Sequence, residues 1–246
     1  MDLGLAGRAA LVTAASRGLG FAAAKALVEE GARVAICARR PEGVEAARAA
    51  LEALAASRGR PPGQVLGLVA DVSRPEAPAR LVADALAGFG RLDVLVANAG
   101  GPPPGRALEV DDAALEAALQ ANLLATVRLV RQALPAMRAG GWGRICAIAS
   151  YSLKQALPGL ALSNCARAGL WAWAKTAAAD LAPEGITLNL ACPGPHATQR
   201  MVELGGQGPM GDPDDFGKVV AFLCSQPAGF LSGAAVVVDG AATLAL

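Results

Sequence analysis

The residues that first suggest chemistry are Thr13-Ala14-Ala15-Ser16-Arg17-Gly18-Leu19-Gly20, between an apolar run and a helix-forming one. In a strand–turn–helix of this kind, backbone N–H groups converge at the positive helix end, where a pyrophosphate can sit. Only Gly18 and Gly20 remain of the three glycines such turns usually carry, which is also compatible with an ordinary βα turn. Position directly after the first strand favours the phosphate reading. The second apolar run ends in Ile36-Cys37-Ala38-Arg39-Arg40, with no acid between Ala32 and Pro41. An acid there would hold a ribose 2′-hydroxyl, whereas arginine accommodates a 2′-phosphate. Arg39, together with Arg17 in the glycine turn, therefore predicts NADP(H) as the cofactor.

Such a site needs a sheet with helices behind it. Short β-rich runs at 9–13, 33–37, 65–70, 93–97, 144–149, 187–191 and 235–238 alternate with longer helical stretches. Helices are expected near 19–30, 43–57, 75–89, 111–138, 162–181 and 214–224. The strands lack polar/apolar alternation, as parallel strands covered on both faces do. Strand, helix and strand in succession imply right-handed crossovers and an α/β doubly wound parallel sheet of about seven strands. Acids Asp112, Asp214 and Asp215 suit helix first turns, and Gly90, Gly140-Gly141 and Pro183-Glu184-Gly185 supply stops. No linker or repeat interrupts residues 1–246, which read as one domain.

Composition removes several function classes. The chain has 246 residues, 22 Lys+Arg against 21 Asp+Glu, and a formal charge of +1, without the basic excess of a nucleic-acid or anionic-membrane surface. With 54% hydrophobic and 17% charged residues it is not a disordered sequence. Polar residues or glycines interrupt each apolar stretch, so no membrane span is expected. The start, Met1-Asp2-Leu3-Gly4, has an acid where an export signal wants bases, so a cytoplasmic protein is expected. Five scattered cysteines without a C-x-x-C suggest reduced, mostly buried thiols, and a single histidine excludes multi-histidine metal sites. No metal is expected.

Beyond the glycine turn, Asp71-Val72 follows the third strand and Asn98-Ala99-Gly100 the fourth. Asn122 lies in the long fourth helix, Ser150 closes the fifth strand, and Pro193-Gly194 with Thr198 follows the sixth. With the tail Val238-Asp239-Gly240, this series resembles the short-chain dehydrogenase/reductase family, in order and spacing, over essentially the whole chain. Within the family it is similar to bacterial 3-oxoacyl-acyl-carrier-protein-reductase-like members. The resemblance implies a Rossmann fold, a nicotinamide cofactor, a small-molecule carbonyl or alcohol substrate, and a homotetramer built on the fourth and fifth helices. It also implies roles. Thr13 opens the cofactor turn, Gly18, Leu19 and Gly20 face the pyrophosphate, and Ser16, Arg17 and Arg39 take the 2′-phosphate side. Asp71 and Val72 flank the adenine, Asn98, Ala99 and Gly100 line the ribose, and Pro193, Gly194 and Thr198 hold the carboxamide.

The active-site set departs from that pattern. The family uses Asn, Ser, Tyr and Lys, with the tyrosine 13 residues after the serine and the lysine four further on. Asn122 and Ser150 match, but Ser163 and Arg167 stand at the other two positions. A phenol has a reference pKa of about 10, and an aliphatic hydroxyl is both a far weaker acid and several ångströms shorter. Arg167 is expected to keep the charge and the ribose contact, and Ser150 to donate to a carbonyl oxygen. Tyr151, the one tyrosine, reads as a pocket-wall aromatic because neighbouring strand residues face opposite sides. His196 reads as an exposed loop residue or as a neighbour of the nicotinamide. The glycine-rich stretch 198–213 is shorter than the family's usual cover, so an open, wet site is expected.

Two functions fit: an NADP(H)-dependent oxidoreductase with an atypical site, or a member that binds the dinucleotide without ordinary turnover and serves binding or assembly. A hydrolase elbow at Ser16 with His196 is the third class, weakened because Ala14 replaces a required glycine.

Overall fold

The computed structural model describes residues 1–206 and 208–244. Strands β1 (Ala9–Val12), β2 (Arg33–Ala38), β3 (Val65–Val69), β4 (Val94–Ala97), β5 (Gly143–Ile148), β6 (Ile186–Pro193) and β7 (Ala235–Val238) follow the expected runs closely. They form a seven-stranded sheet in the order β3-β2-β1-β4-β5-β6-β7, with every pairing parallel. This is the doubly wound Rossmann arrangement. Every residue of β1, β4 and β5 is buried, because helices cover both faces at the sheet centre. At the edge the expectation of a fully covered strand fails: β3 alternates between covered and open positions.

Helices α1 (Gly18–Glu29), α2 (Pro41–Ser57) and α8 (Pro213–Leu223) pack on one face, around Leu27, Ile36, Leu51 and Phe216. On the other face lie α3 (Ala77–Phe89), α5 (Ala125–Ala139) and α6 (Ala161–Leu181), around Leu81, Leu129, Met137 and Leu170. Pro41 starts α2, where its missing N–H costs nothing, and Gly90 stops α3 in the left-handed region at φ 73°. α1 and α8 touch backbone to backbone: a Cβ on Gly217 would lie 2.3 Å from the Ala22 carbonyl oxygen. That contact seats α1 firmly behind the glycine turn.

The helix expected at 111–138 is interrupted. α4 (Asp112–Leu119), capped by the Asp111 carboxylate on Ala114 N, runs into a π-helical turn at Gln120–Leu124 before α5 begins. Asn122 sits inside that wide turn. π turns occur mostly as single insertions and often at functional sites. The combined run Asp112–Ala139, 28 residues, is long and apolar enough to cross a membrane by length and composition, a stretch the sequence reading passed over. Here its apolar face packs against α3 and α6. A short helix, α7 (Gln199–Glu203), follows β6 where only a glycine-rich loop was expected. Of the five cysteines, Cys37, Cys146, Cys192 and Cys224 are buried and Cys165 is exposed.

Candidate functional site

Neighbouring strands β1 and β4 send the chain in opposite directions, and the crevice at such a switch point is where α/β sheets bind ligands. Thr13 Oγ1 donates to Asn98 O at 2.7 Å and accepts from Asn98 N at 2.8 Å, joining the two strand ends. Asn98 Nδ2 reaches back to Ala14 O at 3.2 Å. The turn then doubles sharply: Ala14 has φ 47° and Gly18 φ 61°. Gly20 admits no side chain, since a Cβ there would lie 2.5 Å from Ala14 O and 2.6 Å from Asn98 Nδ2. Arg17 occupies the N-cap position of α1 in extended conformation, and no side chain caps the helix. Its first N–H groups are thus left for a ligand, and this cradle fits a pyrophosphate. Thr13 lies inward, so its part is to hold the turn.

The expected 2′-phosphate group gathers at the ends of β1, β2 and β3. Ser16 faces the start of α2, 3.5 Å from a notional Cβ of Gly43, and Arg17 and Arg39 are exposed. Burial would raise the Asp71 carboxyl, but hydrogen bonds from Ser73 N and Oγ, with Arg39 and Arg74 nearby, hold it below the usual carboxylate range. Arg74 was not singled out from sequence; only its position after the third strand could have suggested it. Val72, after β3, and Ala99, after β4, are half-buried, and Gly100 is exposed.

At the end of β6, Gly194 permits a close approach to β7, because a Cβ would come 2.4 Å from Asp239 Cβ. Thr198 lies over the glycine turn, its Cγ2 3.8 Å from a notional Cβ of Gly18, and caps α7 by accepting from Met201 N. Arg200 Nη2 donates to Pro102 O at 2.8 Å, so α7 bridges to the loop after β4. His196 is neither exposed nor free. It is 4% exposed, its Nδ1 lies 3.1 Å from Gly194 O, and its ring meets Phe216 edge-on at 5.1 Å. Two backbone bonds, Ala197 N to Gly211 O and Gly211 N to Pro195 O, lock it in place. With His196 turned into the core and Ser16 against α2, the hydrolase elbow has no general base.

Ser150 ends the fifth strand region as cap of a 3₁₀ turn, Tyr151–Leu153. Its Oγ accepts from Ser152 N at 3.1 Å, leaving the hydroxyl hydrogen to donate elsewhere. Tyr151 therefore lies on a turn and not on a strand, which corrects the reasoning behind its placement. Burial and then Asp239 push its phenol above the ordinary value, so it is a weaker acid than a free phenol. Lys154 stacks over Trp171 at 4.4 Å instead of supporting Tyr151. Asn122 is buried, with Nδ2 3.4 Å from Ala118 O and Oδ1 without a partner. Ser163 is half-buried in the first turn of α6.

Arg167 departs most from expectation. It was expected to present its donors to a ribose, yet it is 6% exposed and Nη1 donates to Ile148 O at 2.8 Å. Nε is buried without a partner, and among the described residues no carboxylate lies within ion-pair distance. Burial pushes its pKa down to about 10, against a small opposing effect of Cys192. No cluster of potential metal ligands occurs among the described residues.

Comparison with known proteins agrees with this fold. The family model described as "Enoyl-(Acyl carrier protein) reductase" matches residues 13–243. The human dehydrogenase/reductase SDR family member 4 is 32% identical over 250 aligned positions, covering 96% of this chain and 87% of that protein. Oxidoreductase asL5 of Sarocladium schorii is 34% identical, with 96% of each chain covered. The L-sorbose reductase of Gluconobacter frateurii, solved with NADPH and L-sorbose, superposes with a TM-score of 0.92 at 28% identity over the full length of both chains.

Two outcomes follow from the site. An L-residue in the left-handed region costs about 1 kcal/mol, so Ala14→Gly should raise the melting temperature by roughly 2–4 °C. An unchanged or lower melting temperature would show that Ala14 carries no strain. The second concerns Arg167, whose uncompensated buried charge should outweigh its one hydrogen bond. Arg167→Met is therefore expected to melt higher at neutral pH. Because its folded pKa is lowered, the unfolded chain holds the proton more tightly, and the parent gains stability as pH rises above about 10. The gap between variant and parent should narrow there; a variant that melts lower at neutral pH contradicts the argument.

Proposed function

The chain belongs to the short-chain dehydrogenase/reductase family, and from that premise we propose that it is an NADP(H)-dependent oxidoreductase acting on a small-molecule carbonyl or alcohol through an atypical site. The observation that carries this reading is the uncapped α1 N-terminus behind Gly20, flanked by two exposed arginines and no acid after β2. The NADPH held by the Gluconobacter frateurii relative supports the same cofactor. Gly18, Leu19 and Gly20 would take the pyrophosphate, and Ser16, Arg17 and Arg39 the 2′-phosphate. Asp71, Val72, Asn98, Ala99 and Gly100 would line the adenosine half, and Pro193, Gly194 and Thr198 the carboxamide. When bound, the nicotinamide supplies hydride transfer to or from a carbonyl carbon. Ser150 donates its free hydroxyl hydrogen to the substrate oxygen, and Ser163 reaches that oxygen only through a water. Arg167 holds positive charge beneath the site and disfavours protonation of its neighbours.

A second reading is favoured by one observation. Arg167 is turned inward and Ser163 is short, which together leave the site without a direct proton donor of phenol strength. On that reading the protein binds the dinucleotide and acts as a binding or assembly partner. We also propose a homotetramer through α4, α5 and α6, which light scattering at micromolar concentration tests: a monodisperse monomer refutes it.

Calorimetry with NADPH and NADH, beside turnover of ketones, sugars and oxoacyl thioesters, separates the two readings. Tight NADPH binding without turnover selects the second. Arg39→Ala should weaken NADPH far more than NADH; equal losses would refute the 2′-phosphate assignment. The double change Ser163→Tyr with Arg167→Lys should raise carbonyl reduction at least ~10-fold, the low end of general-acid contributions. A folded, NADPH-binding double variant with no gain in rate would mean that Ser163 is not a defective acid.

A further inference from the structure

Glu203, in the last turn of α7, places a carboxylate beside the glycine turn. Its Oε1 lies 4.0 Å from Arg17 Nη2, with side-chain exposures of 44% and 61%. A carboxylate gains nothing from the dipole at a helix C-terminus, so helix preference does not account for its position. α7 itself is tied to both walls at its N-terminal end. Thr198 caps it from the glycine-turn side, and Arg200 ties it to Pro102 on the opposite wall. Among the described residues Arg17 has no other acid within ion-pair distance.

We propose that Glu203 is a specificity-determining residue of the dinucleotide site, its carboxylate competing with the cofactor's 2′-phosphate for the Arg17 guanidinium. This rests on the reading that Arg17 faces that phosphate. A guanidinium that binds a phosphate dianion bidentately has little left for a second anion. The phosphate and Glu203 would then be two like charges around one cation. NADH brings no such charge and leaves the pair undisturbed. Glu203 therefore weakens NADPH selectively and narrows the preference between the two cofactors.

Calorimetry of the full chain with NADPH and NADH tests this. Glu203→Gln should tighten NADPH by about 3-fold, the scale of an exposed ion pair, and leave NADH unchanged. Glu203→Lys, which turns repulsion into attraction, should tighten NADPH by about 10-fold. Both gains should shrink at high salt, since the groups are exposed. In an Arg17→Ala background, the gain from Glu203→Gln should fall, because only the direct repulsion is left. The proposal is overturned if either Glu203 variant leaves the NADPH-to-NADH ratio unchanged or shifts both cofactors equally. If Arg17→Ala does not weaken NADPH, the assignment of Arg17 fails and the competition with it. If Arg17→Ala weakens NADPH while the Glu203 variants do nothing, the assignment stands and only the competition fails.

Discussion

Thr13 and Asn98 meet where β1 and β4 end, and their reciprocal hydrogen bonds at 2.7 and 2.8 Å fix the distance between two loops that leave in opposite directions. The same Asn98 holds the Ala14 carbonyl, and that carbonyl is the atom that forbids a side chain at Gly20. Strand pairing, turn and helix start are therefore one connected network. Loosening any member would let α1 drift from the sheet edge, and with it the row of N–H groups that makes the crevice hospitable to an anion. Gly217 against Ala22 braces the helix from behind, so the turn is held from both directions.

The buried arginines show how differently this fold treats one residue type. Arg144 is 3% exposed, yet it donates to Ser225 O, Gly143 O and Gly185 O and stacks on Trp142 at 4.3 Å. It is a structural group whose Nε and Nη1 are both bonded to backbone carbonyls. Arg167 is buried nearly as deeply with one hydrogen bond and an orphan Nε. Burial lowers both pKa values, but only Arg144 has compensation built around it. A cation left half-satisfied at the carboxyl edge of the sheet does not serve the fold.

Strands and their order were legible because parallel strands covered on both faces leave continuous apolar runs, and the glycine turn because its place after the first strand is local information. What escaped depends on distant partners. The burial of His196 is set by Phe216 and Gly211, remote in sequence, so a polar residue in a loop read as exposed. Tyr151 follows a strand but enters a 3₁₀ turn because Ser150 caps it, a choice made by one hydroxyl. Arg167 was read by its charge, and a charged side chain carries no sequence signal that it will turn inward. The competing group Glu203 sits on a helix of five residues that falls below the length at which a periodic pattern can be seen.

The π turn at Gln120–Leu124 has a historical consequence. The wide turn takes up one extra residue, so the helices on either side keep the register of an uninterrupted helix, and deleting one residue there would close the turn without moving either face. The same deletion within α4 or α5 would turn one half by about 100° against the other, so that either Ala118 would swing away from α6, or Val127, Val130, Ala133 and Met137 would leave the core between α3 and the sheet. Both halves are anchored, so a one-residue change of length is accommodated only where the turn can widen or close. Length can therefore change at this turn while the packed faces on either side keep their inherited register.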